Sequence, residues 1–221
     1  MTPQQTIETE ETRTQSFAEW MQANTRAVGI GAAVVVIAAA GYWFYLRSAE
    51  IKRSNAERGL NQAKQSLAAG NAGLAQSDLQ KVATRYKGTL AGSQAAMLLA
   101  QLDYDQGKFA DGLRVLEPYQ TAAAANENLS AVLSLTGDGQ LASGKPDAAA
   151  KSYGKAAESI SLPGESSIYM SKSARALMIA GKDAEALKLW EKLATDPNAL
   201  PVRNEALVRV GELSAKPVGK S

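Results

Sequence analysis

Ala174-Arg175-Ala176-Leu177-Met178-Ile179-Ala180-Gly181-Lys182-Asp183-Ala184-Glu185-Ala186-Leu187-Lys188-Leu189-Trp190 is the stretch that decides the fold. Two runs rich in Ala, Leu and Lys, all good helix formers, meet at Gly181, and glycine readily supplies the left-handed residue that ends a helix. A small side chain, Ala174, stands seven residues before that glycine, a second, Ala186, five after it, and a large one, Trp190, nine after it. The spacing predicts a helical hairpin: small residues let two antiparallel helices approach, and the large residue fills the gap toward the next hairpin.

The same pattern recurs upstream. Gly70-Asn71, Gly107-Lys108, Gly144-Lys145 and Gly181-Lys182 are spaced 37 residues apart. Seven before each glycine stand Ala63, Ala100, Gly137 and Ala174; five after, Ala75, Gly112, Ala149 and Ala186; nine after, Leu79, Leu116, Tyr153 and Trp190. Four turns at one period indicate a helical-repeat array. Small, turn glycine, small and large at these offsets resemble the tetratricopeptide repeat, whose usual unit is about 34 residues. The unit here is looser. The usual aromatic and Leu before the turn are replaced by Gly59 and Gln62, Ala96 and Leu99, Leu133 and Thr136, and Met170 and Ser173, and the repeat-end proline appears only as Pro163 and Pro197. Asp196-Pro197 and Pro201 stop the fourth hairpin, after which residues 202 to 215 read as a capping helix with Val202, Leu207, Val210 and Leu213 on its apolar face. The expected fold is therefore all-α: an N-terminal transmembrane helix, then about four tetratricopeptide-like hairpins and a C-terminal capping helix.

The transmembrane expectation comes from residues 27–46, twenty residues without a charge, closed by Arg26 and Arg47. At 1.5 Å rise per residue these span about 30 Å, the hydrocarbon thickness of a bilayer. Tyr42-Trp43-Phe44-Tyr45 sits at one end, where amphipathic rings favour the headgroup region. Ala38-Ala39-Ala40 has the Ala-x-Ala form of a signal-peptidase site, but the preceding 26 residues carry four Glu against two Arg, a poor signal-peptide start, and the apolar run continues past the site. The reading is an uncleaved anchor. Ala27, Gly29, Gly31, Ala38 and Gly41 offer a small-residue face for helix packing. No proline or turn cluster separates the anchor from the first repeat, so one helix is expected to run through both. The organisation expected is a tail over 1–26, the anchor over 27–46, the array over 47–215 and a short tail over 216–221, with residues 1–15 and 216–221 frayed. Arg13 and Arg26 flank one side of the anchor and Arg47, Lys52, Arg53 and Arg58 the other, a count that places the array in the cytoplasm by the positive-inside rule. Long domains translocate largely regardless of such counts.

The layout as a whole resembles the ancillary subunit family of the bacterial Sec translocon. The stretches that carry this are Phe17 to Arg26 leading into the Gly- and Ala-rich anchor, Tyr86-Lys87-Gly88-Thr89-Leu90-Ala91, Ala95-Ala96-Met97-Leu98-Leu99-Ala100, and Glu127-Asn128-Leu129. The resemblance implies a single-pass protein of the bacterial inner membrane with residues 1–26 in the cytoplasm and the array in the periplasm. It further implies protein partners among Sec translocon subunits, periplasmic chaperones or secreted clients. A structural scaffold of another cell-envelope complex, with no client binding, is the alternative.

Composition narrows the chemistry. The 221 residues hold 24 basic and 22 acidic side chains and no His or Cys. Without them there is no Ser-His-Asp or Cys-His nucleophile, no imidazole or thiolate metal site and no disulfide. A net charge of +2 gives no general reason to bind nucleic acid. Asp103 and Asp105, two residues apart, fall on different helix faces and make no catalytic pair, and no Gly-Lys turn has phosphate-loop spacing. The expectation is a non-enzyme with no cofactor, metal or small-molecule substrate, contacting the lipid bilayer and proteins. In tetratricopeptide arrays the first helix of each hairpin lines a groove. Positions thirteen, ten, six and three before each turn glycine map there: Glu57, Leu60, Lys64 and Leu67; Gln94, Met97, Gln101 and Tyr104; Ala131, Ser134, Asp138 and Leu141; Ile168, Ser171, Arg175 and Met178. Met, Leu and Tyr on such a face suit contact with varied apolar segments. For Leu67, Tyr104, Leu141 and Met178 the alternative is packing between helices.

Overall fold

The computed structural model describes residues 19–160 and 162–215, all of whose regular structure is helical. The stretches expected to fray, residues 1–15 and 216–221, lie outside the described residues. The chain divides into two units, Met1–Ile51 and Lys52–Ser221.

Helix α1 (Thr25–Ala68) runs unbroken for 44 residues, as the absence of a helix breaker predicts. Its apolar stretch 27–46 contains no buried residue: Val34, Ile37 and Phe44 are 60%, 70% and 69% exposed. It is long and apolar enough to cross a membrane.

From Lys52 onward the chain forms hairpins. The C-terminal part of α1 pairs with α2 (Ala72–Arg85), α3 (Leu90–Asp105) with α4 (Phe109–Leu116), α6 (Leu129–Ala142) with α7 (Pro146–Glu158), and α8 (Pro163–Ile179) with α9 (Asp183–Thr195); α10 (Arg203–Ala215) follows. Between α4 and α6 the chain makes two 3₁₀ turns, Glu117–Tyr119 and Asn126–Asn128, around a short α5 (Ala122–Ala125). This longer connection is tied down by side chains. Asn128 Nδ2 donates to Ser93 Oγ at 2.8 Å. The buried Tyr119 hydroxyl donates to the Ala83 carbonyl, and desolvation pushes its pKa up to about 12.

Every hairpin turn closes alike. Gly70, Gly107, Gly144 and Gly181 have φ of +76°, +73°, +72° and +74°, a region that costs any residue with a Cβ. At each, the amide after the glycine bonds back five residues, Asn71 to Ser66, Lys108 to Asp103, Lys145 to Gln140 and Lys182 to Leu177, at 2.8–2.9 Å. This satisfies carbonyls that the end of the first helix would leave unpaired.

The spacing pattern of the sequence becomes the core. Ala63, Ala100 and Ala174 before the turns, and Ala75, Ala149 and Ala186 after them, are fully buried. Leu79, Leu116 and Trp190 are fully buried as well, and Tyr153 is 2% exposed. Gly137 takes the place of alanine because the Tyr153 ring lies on it: a Cβ there would stand 2.6 Å from the ring. The apolar core falls into two clusters, one from Ala56 to Val132 and one from Ala149 to Leu213.

The last helix differs from expectation on one point. Val202, Ala206 and Leu213 are buried beneath it and Val210 packs against the same cluster, but Leu207 is 56% exposed. The helix docks through Val202, Ala206, Val210 and Leu213, spaced by three and four residues, which turns Leu207 about 100° away from that face.

Candidate functional site

The first helices of three successive hairpins border one open depression of about 680 Å³. Helix α3 contributes Met97; α6 contributes Ala131, Ser134, Leu135 and Asp138; α8 contributes Glu165, Ile168, Tyr169 and Lys172. Of the groove residues expected from the sequence, Met97, Ala131, Ser134, Asp138 and Ile168 therefore come together. Gln94 is half-buried, and Lys64, Gln101 and Arg175 are exposed along the same helices without bordering the depression. Gln101 Nε2 donates to Asp105 Oδ1 at 2.9 Å.

Glu57 is exposed, and the other expected positions pack inside the array. Leu60 is 3% exposed and belongs to the first core cluster. In its row, ten before the glycine, Ser134 and Ser171 are also buried, at 6% and 1% exposure. The row three before the glycine sits at the closed end of each hairpin, where the second helix crosses. Leu67 and Tyr104 pack against the first cluster, and Leu141 and Met178 against the second. The Tyr104 ring lies where a side chain at Gly112 or Gly139 would stand, and its hydroxyl donates to the Leu135 carbonyl at 3.3 Å. Trp190 Nε1 donates to Met178 Sδ at 3.4 Å. Leu67, Tyr104, Leu141 and Met178 are thus partly buried against the core clusters.

Sequence mapping missed Leu135, Glu165, Tyr169 and Lys172. The signal was available for two of them. Leu135 and Lys172 both stand nine before their turn glycine, and positions thirteen, nine and six before a fixed point share one helical face.

Asp138 and Lys172 are the electrostatic centre of the depression. Lys172 Nζ lies 3.0 Å from Asp138 Oδ1, donates to Ser134 Oγ at 3.0 Å and stands 5.3 Å from the Tyr153 ring centre, within cation–π range. The Tyr153 hydroxyl donates to Asp138 Oδ1 at 2.7 Å. Burial, followed by its bond to the Asp138 carboxylate, raises the pKa of that hydroxyl well beyond the ordinary tyrosine value. The group therefore stays a neutral donor and holds Asp138 in place. The network sets a fixed polar centre between apolar contacts from Met97, Leu135 and Ile168. That arrangement can receive an extended or helical segment, with apolar side chains against the wall and one polar group oriented by the ion pair.

Arg175 is engaged by a neighbouring helix. Its Nε donates to Glu205 Oε1 at 2.7 Å and its terminal nitrogen to Oε2, joining α8 to α10. The hydrogen bond from Arg175 holds the Glu205 carboxyl below the usual glutamate range despite partial burial. Arg175 is thus committed to the array.

Hairpins repeated at one period, stacked through small residues and bordered by first-helix side chains, define a helical-repeat scaffold whose product is a surface. The model of the tetratricopeptide repeat-like domain family matches residues 18–136 and 56–172, and the chain belongs to that family. Repeats of this kind are protein–protein interaction scaffolds, and no enzymatic family is indicated. Two solved structures share the fold. Both are of the putative kinesin light chain of Podosopora anserina with nearly identical TPR-like repeats. The first, a point variant of that protein, is 16% identical, with a TM-score of 0.51 over 74% of this chain and 94% of that one. The other is also 16% identical, with a TM-score of 0.51 over 76% and 99%. No curated protein matches the chain.

Proposed function

We propose that this protein is a single-pass, membrane-anchored adaptor of the bacterial protein-export channel. In this reading the array lies in the periplasm, and its first-helix groove takes up segments of translocon subunits, periplasmic chaperones or emerging clients. The observation that carries the reading is the apolar stretch 27–46, none of whose residues is buried, in the same helix that begins the interaction array. An exposed stretch of twenty apolar residues is incompatible with water and matched to a bilayer. Anchoring confines the groove to the membrane surface and raises its effective concentration near chains leaving a channel. The sequence resemblance to the Sec ancillary subunits supplies the orientation.

Two measurements test it together. A C-terminal reporter active only outside the cytoplasm is expected to be active. A photocrosslinking residue at Ile168, which is 42% exposed on the depression, is expected to capture translocon subunits, periplasmic chaperones or exported chains. An inactive reporter, or capture of none of these, overturns the proposal. Repeated capture of one other folded envelope protein, with no response to unfolded polypeptide, assigns the chain to a scaffold instead.

A further inference from the structure

The depression bordered by α3, α6 and α8 holds one cation and two carboxylates, Lys172, Asp138 and Glu165, and their hydrogen bonding sets them apart. An ammonium has three N–H donors and no acceptor. Lys172 Nζ directs its donors into the array, to Asp138 Oδ1 at 3.0 Å, Asp138 Oδ2 at 3.3 Å and Ser134 Oγ at 3.0 Å. The Tyr153 ring lies 5.3 Å from the same nitrogen. An arriving carboxylate or phosphate would have to displace Asp138, which the Tyr153 hydroxyl also holds. Lys172 has no donor left for it.

Glu165 is the opposite case. It is exposed on the border of the depression, and among the described residues no hydrogen bond or ion pair engages its carboxylate. An ionised carboxylate accepts and cannot donate. Glu165, Ile168 and Lys172 stand at i, i+3 and i+7 on α8 and so share one face. At 1.5 Å rise per residue, Glu165 lies about 10 Å along the helix from the ion pair. With Lys172 and Asp138 paired, the lining keeps one negative charge in excess, set beside apolar wall from Met97, Leu135 and Ile168. The other polar side chains of the lining, Ser134 and Tyr169, offer only hydroxyls. The capacity left open in the depression is therefore for a donor with a positive charge.

We infer that the depression selects polypeptide segments in which a basic side chain stands beside apolar ones. The basic group meets Glu165 and its apolar neighbours meet Met97, Leu135 and Ile168; this names the occupant of the groove proposed above and rests on that reading. An arginine or lysine supplies the donors that Glu165 lacks. An acidic residue meets Glu165 as a like charge and finds no free ammonium. A wholly apolar segment would cover Glu165 and leave its carboxylate without a partner, which is costly.

The test uses the full chain in nanodiscs of zwitterionic lipid, which carry no net charge to attract a peptide. The probes are three short fluorescent peptides of Leu and Ser with Arg, Gln or Glu at the centre. The Arg peptide is expected to bind about three- to five-fold more tightly than the Gln peptide, the scale of one partly exposed ion pair, and the Glu peptide more weakly still. The preference should shrink as salt rises. A photocrosslinking residue at Ile168, on the same face, is expected to label the Arg peptide. E165Q should bring the Arg and Gln peptides together, and E165K should reverse the order of Arg and Glu. Glu165 is exposed, so the thermal midpoint should hold. E191Q, which alters an exposed acid of α9 outside the depression, should leave the preference intact. Equal binding of the three peptides, or a preference that survives Glu165→Gln, overturns the inference and leaves the groove standing. Labelling of none of them at residue 168 overturns the inference and the groove together. The export-channel reading is judged apart from both, by the C-terminal reporter.

Discussion

Helix α1 contains two stretches that obey different rules of side-chain choice. Over 27–46 every position is apolar or small and none is buried; over 56–63 only Ala56, Leu60 and Ala63 are buried, on one stripe, while Glu57, Arg58 and Gln62 face outward. The first pattern suits a medium that is apolar all round, the second a single packed neighbour. The two stretches share helical backbone geometry, so what separates them is the surroundings that each side chain meets.

Substitutions can test that contrast one stretch at a time. The largest expected effect is Leu60→Ala, which opens a cavity in the first core cluster and should cost about 2–5 kcal/mol of array stability. Urea unfolding checks it, and the membrane-bound fraction should not change. Val35→Arg is the converse: a charge at the middle of the apolar stretch should cost about 2.5–3.5 kcal/mol of insertion, visible as extractable protein, with the array melting as before. Next come two glycines of the same helix. A Cβ at Gly59 would stand 2.7 Å from Val82 Cγ2, whereas one at Gly41 would meet nothing. Gly59→Ala should lower array stability by about 1–3 kcal/mol through overpacking, and Gly41→Ala should leave it unchanged. A drop at Gly41 equal to that at Gly59 would break the contrast.

The smallest expected effect lies in the array alone. Glu205→Gln should cost under about 1 kcal/mol, because the pair with Arg175 is partly exposed to solvent. The carboxyl titrates below its ordinary 4.5 in the folded chain, so its contribution is complete above that value and fades as pH falls through the depressed folded value. Stability curves of wild type and variant should therefore differ at neutral pH and converge at acid pH.

The turns and the packing rows were legible in the sequence, because each depends on a residue type that nothing else replaces. A positive φ demands glycine at residues 70, 107, 144 and 181, and a close helix approach demands Ala or Gly at residues 63, 100, 137 and 174. The groove was read only in part. Leu60 and Met97 occupy the same row, yet one is core while the other packs against that core and also borders the depression. The positive φ of Gly88, +82°, had no periodic partner and so gave no signal. The outward turn of Leu207 was hidden for a related reason: small Ala206 does the burying, and apolar size alone pointed to its neighbour.

The division of the core has a consequence for how the array opens. Helix α6 gives Val132 to the first cluster and packs Leu141 against the second, with Ser134, Thr136 and Gly137 between them. The two buried apolar clusters are therefore distinct, and along this helix the Tyr104 ring over Gly139 and the Tyr153 ring over Gly137 join them. Hydrogen exchange would then separate two cooperative blocks, with the amides of α2 and α3 reporting one opening free energy and those of α8 and α9 another. The third hairpin, shared by both, would act as the hinge of cooperativity along the chain.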